Sequence, residues 1–549
     1  MAVRLLAALL IVVGLTGACT PPGLPPPQAP ESTTAAPTSA TASKTITVGI
    51  DGSVGGFNPY VLQNFSSAAR AVASLVLPSV STVDAAGASV FDNRLVSSAT
   101  VTGRDPFTVT YQLVRAATWS DGTPVTAEDF QYLQQQMLTA VGTSQSAAYR
   151  AVTSIRSLDA GKKVQVAFSS PVRDWPTMFS PLLPAHILKD APGGFATGLA
   201  GGIPVSAGPY RLESVDRVTG LISLVRNDKY WGRQPGPASV VLRIGTAGEL
   251  VGALERGDVQ ALLFQPGNSA DERLQATVPN DRRVLVPVPA SIQLVFNQRS
   301  GPTTSLAVRT AVAQALSPEV LDDALTGSRA SGTREVFSMV RLPAQPPVAD
   351  PAAGPAVPMG DADAAEAALR AAGYDTSGLY ATRDGVPLRI SVGFPSGDQR
   401  SANAARAVQS QLGGVGIEVD LLVDTTANVA GRLTSGELGM ALLTVPRGRS
   451  DAVTAASSFG CGLPDTPGSG NLSGYCTAGT ESALAAALAG RGGLAAVDRQ
   501  LAADIPVIPL GEPVAVFAVS AGLARVAGRA GRGWLWTGPL AGLPDWPSI

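Results

Sequence analysis

Histidine is almost missing from this chain. His186 is the only one in 549 residues, and there are three cysteines, Cys19, Cys461 and Cys476. So few soft ligands leave little from which to build a zinc or iron site, and no metal is expected. Lysine is scarce too: five (Lys44, Lys162, Lys163, Lys189 and Lys229) among 40 basic residues, which 42 acidic residues offset to a formal net charge of −2. No overall basic field exists to draw in nucleic acid. The signatures of catalysis are also lacking. There is no G-x-S-x-G elbow, no H-E-x-x-H pair, and no P-loop lysine after the glycine-rich loop Gly193–Gly202. A Ser-His-Asp triad could turn only on His186, whose Pro184-Ala185-His186-Ile187 context reads as a capping or packing site. Neither enzymatic chemistry nor a cofactor is expected. Beyond the first twenty residues, no apolar run is long enough to cross a bilayer.

With 45% hydrophobic and 15% charged residues, the chain has ample apolar surface for sizeable cores, and its length predicts two to four domains. Arg4 followed by the short apolar stretch Leu5–Val13 reads as a signal peptide. Leu15-Thr16-Gly17-Ala18-Cys19 then resembles the lipobox at which bacterial lipoproteins are cleaved and diacylated, although Thr16 stands where leucine is preferred. Cys19 is therefore the expected lipidation site, the alternative being a plain secretory leader with an incidental cysteine. Thr20–Ser43 is rich in Pro, Ala, Ser and Thr, with Glu31 its only charge. Such a segment cannot bury enough apolar surface to fold and reads as a tether. With Cys19 lipidated, Cys461 and Cys476 remain as an even pair in an oxidising compartment, read as a disulfide across a turn-rich loop or else as two free thiols.

The remainder alternates strand and helix patterns. Thr45–Ile50 reads as a strand, and Phe107–Leu113 alternates with period two. Thr126-Ala127-Glu128-Asp129 sets a hydroxyl three residues ahead of a carboxylate and opens a helix through Phe130, Leu133, Met137 and Leu138. Further strands are expected at Lys163–Phe168, Gly208–Leu212, Leu221–Arg226, Ser239–Ile244 and Ser291–Asn297, with helices at Glu249–Arg256 and Leu306–Leu316. Pro343–Pro358 reads as a loop and Asp363–Ala372, stopped by Gly373, as a helix. Leu388–Phe394, Ala402–Leu412 and Ile417–Val423 repeat strand, helix, strand. The fold class is α/β. Trp119, Trp175 and Trp231 fall in expected core or hairpin positions.

These elements carry a family pattern. Phe107–Tyr111 with Trp119-Ser120-Asp121-Gly122-Thr123-Pro124-Val125-Thr126-Ala127-Glu128-Asp129 resembles the hallmark of family 5 extracytoplasmic solute-binding proteins. Pro184–Ile187, Gly208–Tyr210, Arg226–Trp231, Gly257–Val259, Leu294–Asn297, Arg309–Leu316, Ala365–Tyr374 and Ile505–Pro509 follow in the family's order. The resemblance implies a two-lobe periplasmic-binding-protein clamshell (type II, cluster C-like) with an extra subdomain in lobe I. Carried over, lobe I comprises 45–88, 201–290 and 501–549, the inserted subdomain 89–200, and lobe II 291–500. A ligand would lie between the lobes. By the same resemblance Asn58, Tyr60, Gln63 and Asn64, which follow the first strand, and Phe296 and Asn297, near the lobe crossing, are candidate ligand contacts.

Ser74–Ser79, Asp129–Leu133 with Gln136-Met137, Pro184–Ala200, and the pairing of Phe459-Gly460-Cys461 with Asn471–Cys476 resemble a narrower, mycobacterial lipoprotein branch of that family. That branch is implicated in assembling phosphatidylinositol mannosides and lipoarabinomannan. Peptide binders of the family carry a tryptophan and an acid after the strand corresponding to Gly436–Arg447. Here the position offers no acid and Arg447 instead, so an anionic or sugar-bearing ligand suits this edge better than a peptide ammonium group. The resemblance implies a monomer anchored by lipid to the outer face of the cell membrane. Its ligand would be a glycolipid or a peptide, and its partner an ABC permease or envelope mannosyltransferase machinery. A third reading, a scaffold with a vestigial cleft, requires that cleft to be filled by the protein's own side chains.

Overall fold

The computed structural model describes residues 45–139, 143, 145–266, 269–327, 333–334, 338–345, 357–462 and 470–547. The leader, Cys19, the segment to Lys44 and most of the proline-rich stretch 343–358 lie outside them. Among the described residues no helix is long and apolar enough to cross a membrane.

Val507–Val519 is an apolar, β-branched run that forms a 13-residue strand, buried along most of its length. Its first part pairs antiparallel with Ala290–Phe296, and its last part with Arg283–Pro287 and Ala261–Phe264. The register with Ala290–Phe296 shifts between Ile292 and Gln293, opposite Gly511 and Pro509. Pro509 has no N–H to give the ladder, so a bulge falls where pairing is already weakest. Around this strand runs a twelve-stranded mixed sheet. On one side lie Ala290–Phe296, Met440–Pro446, Arg389–Pro395 and Glu418–Asp424; on the other lie Ala261–Phe264, Thr45–Asp51, Ser239–Gly245, Leu221–Arg226 and Tyr210–Asp216.

Helices cover the two halves separately and give each its own core. One core gathers residues between Ile46 and Ala290 with Ala515–Trp546, joined by Val453; two others gather residues between Leu294 and Ile508, joined by Leu62 and Ala147. The fold is a two-lobe α/β clamshell, crossed by the strand Val507–Val519 and by the chain between Arg283 and Phe296. A separate four-stranded antiparallel sheet, ordered Val96–Arg104, Phe107–Leu113, Lys163–Phe168, Val152–Leu158, packs with the helix Ala127–Thr139 beside the first lobe.

Local chemistry explains where elements begin and end. Thr246 and Glu249 form a reciprocal capping box, so that helix starts at Ala247, two residues before the expected Glu249, and closes on Gly257 at φ +80°. At Thr126 the box forms differently. Asp129 accepts from the Thr126 backbone N–H at 3.0 Å, but the Thr126 hydroxyl accepts from Glu128. The other Asp129 oxygen accepts from the Ala185 N–H at 3.0 Å. His186 pairs with Asp121 at 2.8 Å and lies beside Trp119, joining the 120–124 turn to the short helix Ala185–Leu188. Gly193–Gly202, read as a loop, contains one helical turn at Gly194–Thr197. Helix Gln399–Gly414 begins three residues earlier than expected, where the Asp398 side chain accepts from the Arg400 N–H. Cys461 and Cys476 are joined by a disulfide.

Two outcomes are expected. Replacing both Cys461 and Cys476 with serine reopens a loop spanning a sequence separation of 15. By the chain-entropy relation this lowers stability by about 3 kcal/mol, seen as a lower urea midpoint; an unchanged midpoint would show that loop closure contributes nothing. Burial raises Asp129 from 3.8 to about 6, against the pull of its two backbone donors. The folded state therefore binds a proton that the unfolded state has released between those values. This contribution to stability is present in full below about pH 4 and is lost as pH rises through about 6, an effect of up to about 3 kcal/mol. Asp129→Asn should be less stable, because one backbone donor loses its acceptor, but should lack that pH-dependent slope in urea denaturation between pH 4 and 7.

Candidate ligand cavity at the lobe junction

The lobes meet along a seam of polar contacts. Arg449, just past the strand Met440–Pro446, donates to the Thr82 carbonyl at 3.2 Å, the Ser81 hydroxyl at 3.0 Å and the Thr177 carbonyl at 3.3 Å. Ser450 donates to Asp174 at 2.5 Å, the Ala147 N–H to the Ser457 hydroxyl at 3.0 Å, and Arg150 to the Ala456 carbonyl at 3.2 Å. On the other flank Arg400 donates to the carbonyls of Gln265 and Pro266, each at 3.1 Å. The structure is thus a closed clamshell.

Beside this seam lies a cavity of about 250 Å³. Its first wall is the helix Ser67–Val76, whose N-cap Ser66 accepts from the Ala69 N–H. The alanines, Val72, Leu75 and Val76 of this helix are buried, which leaves Arg70 and Ser74, one turn apart, on the cavity side. The helix ends because Pro78 forces Leu77 into extended backbone at ψ 140°. Gly208 must lack a side chain here, since a Cβ would collide with the Leu75 carbonyl. The buried Ser206 hydroxyl sits within reach of two carbonyls, that of Val76 at the helix end, at 2.8 Å, and that of Tyr210, with one proton to give.

The second wall is the Asn227–Trp231 turn. Asn227 donates to the Gly208 carbonyl at 2.9 Å and accepts from the Lys229 N–H, which places Tyr230 and Trp231 against the cavity. Trp231 donates its indole N–H to the Arg94 carbonyl at 2.6 Å. Arg94 grips Asp92 with two hydrogen bonds of 2.7 and 2.6 Å, and this pairing raises its pKa. The C-terminal segment supplies Trp536, Thr537, Ala541 and Pro544 as a third wall, and Arg449 arrives from the opposite lobe.

The charge on this lining is one-sided. It holds three guanidiniums, Arg70, Arg94 and Arg449, against one carboxylate, Asp92, which Arg94 already occupies. Arg70 donates to the Trp536 carbonyl at 3.0 Å and lies over the Phe65 ring at 5.8 Å. Desolvation pulls its pKa down from 12.5 to about 10. Burial lowers Arg449 as well, against the favourable influence of the Tyr60 and Tyr149 hydroxyls. Neither Arg70 nor Arg449 has a carboxylate partner among the described residues. Such cations are costly to desolvate, and an entering anion would recover part of that cost.

None of the seven ligand contacts named from the sequence lines this cavity. Asn58 is fully buried, donating to the Phe195 carbonyl at 2.6 Å and accepting from the Tyr60 N–H. Asn64 donates to the Asn58 carbonyl, and half-buried Gln63 lies on the same turn. Tyr60 donates to the carbonyl of Pro181, a lining residue, and sits just behind the wall. Phe296 belongs to the second lobe's core, and Asn297 ties the loop after it to the Leu438 carbonyl at 3.0 Å. Arg447 is buried under the lobe crossing, donating to the Met339 carbonyl at 2.5 Å near Asp451 and Asp498. The cation that reaches the cavity is Arg449, two residues on. Of the three tryptophans singled out from the sequence, Trp119 is core, Trp175 packs on Tyr111 and Phe91, and Trp231 lines the cavity. Arg70 carried a readable signal: an arginine inside an Ala/Val/Leu run, with no acid three or four residues away on either side. Among the described residues no group of three His, Cys, Asp or Glu side chains is placed to hold a metal.

Residues 92–463 match the model of the bacterial extracellular solute-binding proteins, family 5. The "Probable monoacyl phosphatidylinositol tetramannoside-binding protein LpqW" of Mycobacterium tuberculosis is 30% identical over 485 residues, covering 83% of this chain and 75% of the relative. Among solved structures, the periplasmic EDTA-binding protein EppA superposes with TM-score 0.72 at 23% identity, over 92% of this chain and 96% of its own. The oligopeptide-binding protein AppA of Bacillus subtilis, in complex with a nonapeptide, gives 0.73 at 16%, over 92% and 99%. Clamshell, motif order and family match agree, and the chain belongs to the bacterial extracellular solute-binding proteins of family 5.

Proposed function

We propose that this chain is a binding protein, without catalysis of its own, that receives an anionic envelope glycolipid between its lobes and supports phosphatidylinositol mannoside and lipoarabinomannan assembly. Lipid on Cys19 would hold it at the outer face of the membrane, the 20–44 segment serving as tether. The observation that carries this reading is the cation excess of the junction cavity, three guanidiniums against one paired carboxylate. An ammonium-bearing peptide would meet like charge there, whereas a phosphoinositol headgroup would meet opposite charge. The carboxylates nearest the seam are already engaged, Asp174 by Ser450 and Asp451 by Gln345 and Arg341. Trp231, Tyr230 and Trp536 add aromatic surface suited to sugar rings. The relationship to LpqW over most of the chain supports the same ligand class. A vestigial cleft is disfavoured, because the lobes' own side chains fill the seam but leave the neighbouring cavity open. An ABC permease or the mannosyltransferase machinery is the fitting downstream partner.

Native mass spectrometry of the detergent-extracted chain is expected to show a phosphoinositol-bearing lipid as a retained adduct, and deletion of the gene should alter the phosphatidylinositol mannoside and lipoarabinomannan profile. Peptide adducts together with an unchanged lipid profile would instead make the chain the oligopeptide-binding subunit of an importer.

A further inference from the structure

The cations of the junction cavity are not equivalent. Arg94 is neutralised by the bidentate grip of Asp92, with Trp231 fixed on its carbonyl. Arg70 and Arg449 remain, each held by neutral oxygens only, and each arriving from a different lobe. Arg70 stands on a helix whose buried face fixes its position, and it donates to the Trp536 carbonyl. Arg449 reaches across the seam and anchors both terminal nitrogens on Ser81, Thr82 and Thr177. Ser79 adds a neutral hydroxyl to the same lining, whereas Ser74 turns its hydroxyl back to the Ala71 carbonyl and Thr537 to that of Gly533.

We infer that Arg70 and Arg449 are the anion-recognising residues of this cavity, which takes a ligand bearing a phosphate-type anion next to a ring that Trp231 and Trp536 cover. The inference deepens the functional reading above and rests on it. Guanidinium suits this role better than ammonium because it is more weakly hydrated and carries five N–H donors: Arg70 commits one, to Trp536, and Arg449 keeps its Nε–H and one Nη1–H beyond those spent on Ser81, Thr82 and Thr177. Arg70 belongs to the first lobe alone, so its contact is available whether or not the lobes have met. Arg449 reaches the cavity only from the second lobe, so its contact couples anion binding to closure. One chemistry has two sources, a phosphodiester headgroup or free phosphate.

The test is calorimetric titration of the full chain with glycerophosphoinositol, with inorganic phosphate, and with myo-inositol as the neutral control. Glycerophosphoinositol is expected to bind and myo-inositol not. Arg70→Met and Arg449→Met should each weaken binding at least tenfold, Arg70→Lys should weaken it less, and Arg115→Met, an exposed pair member far along the chain, should leave it unchanged. Thermal melting of each variant separates lost binding from lost folding, and Arg70→Lys keeps the charge should the methionine variant fail to fold. Headgroup binding that survives both methionine variants overturns the assignment of these residues and leaves the functional reading standing. Phosphate binding as tight as the headgroup, with the same losses, upholds the anion site but overturns the glycolipid reading. Binding of neither anion overturns both.

Discussion

The molecule depends on one shared strand. Val507–Val519 donates and accepts hydrogen bonds in both lobes, first with Ala290–Phe296 and then with Arg283–Pro287 and Ala261–Phe264. Because a ladder fixes register residue by residue, this strand lets the two cores share a backbone, while their interiors interlock where Val453 enters one and Leu62 and Ala147 the other. The pairing is imperfect at one place, around Gly511, where prolines on either side deprive the ladder of donors. Glu512, wholly buried beside that place, accepts from the Ala344 N–H at 3.1 Å and so ties the 338–345 segment to the crossing. Arg447 and Asp498 hold the same segment through the Met339 backbone. A crossing this heavily tied limits how the lobes can move, and it sets where a cavity between them can lie.

Against that frame the cavity's charge stands out physically. A protein interior tolerates a guanidinium when carbonyls and hydroxyls solvate it, and Arg70 and Arg449 are solvated in this way. Solvation by neutral dipoles leaves the charge itself uncompensated, in contrast with Arg94, whose carboxylate partner raises its pKa while burial lowers those of the other two. The three arginines share one lining, so the difference comes from their partners and not from their location.

Much of the fold was legible in the sequence, because the strands that build the two cores are apolar on at least one face. Thr45–Asp51, Phe107–Leu113 and Arg389–Pro395 stand within a residue or two of their expected places. Val96–Arg104 and Val152–Leu158 were not legible. They are outer strands of the small sheet, exposed along most of their length, and their Ser/Thr-rich sequences carry no period. Ser67–Val76 was not among the expected elements either. Its small residues, four of them alanine, give a weak apolar signal, although Ser67, Arg70 and Ser74 recur at helical spacing opposite the buried face. That helix carries Arg70, which lines the junction cavity. Asn58, Asn64 and Asn297 were expected as contacts by resemblance, from their places after the first strand and near the lobe crossing. In the structure backbone carbonyls accept from all three side-chain amides.

The distribution of the lining between lobes carries a consequence for affinity. Three walls, the helix Ser67–Val76, the Asn227–Trp231 turn and the C-terminal segment around Trp536, belong to one side of the crossing, and Arg449 is the sole contribution of the other. A ligand seated on those walls would already have most of its contacts before the lobes meet. What closure adds is a single charge, along with the seam bonds that Arg449, Ser450, Ser457 and Arg150 make whether or not an anion is present. Differential affinity for the closed state then rests on one guanidinium, and a ligand can shift the lobes only by as much as that contact is worth. A charge-assisted hydrogen bond contributes on the order of 1.5–3 kcal/mol, enough to bias closure about tenfold or more but too little to drive it from a strongly open state. The seam bonds must therefore hold the closed form near balance by themselves, which agrees with a chain whose lobes meet through so many polar contacts.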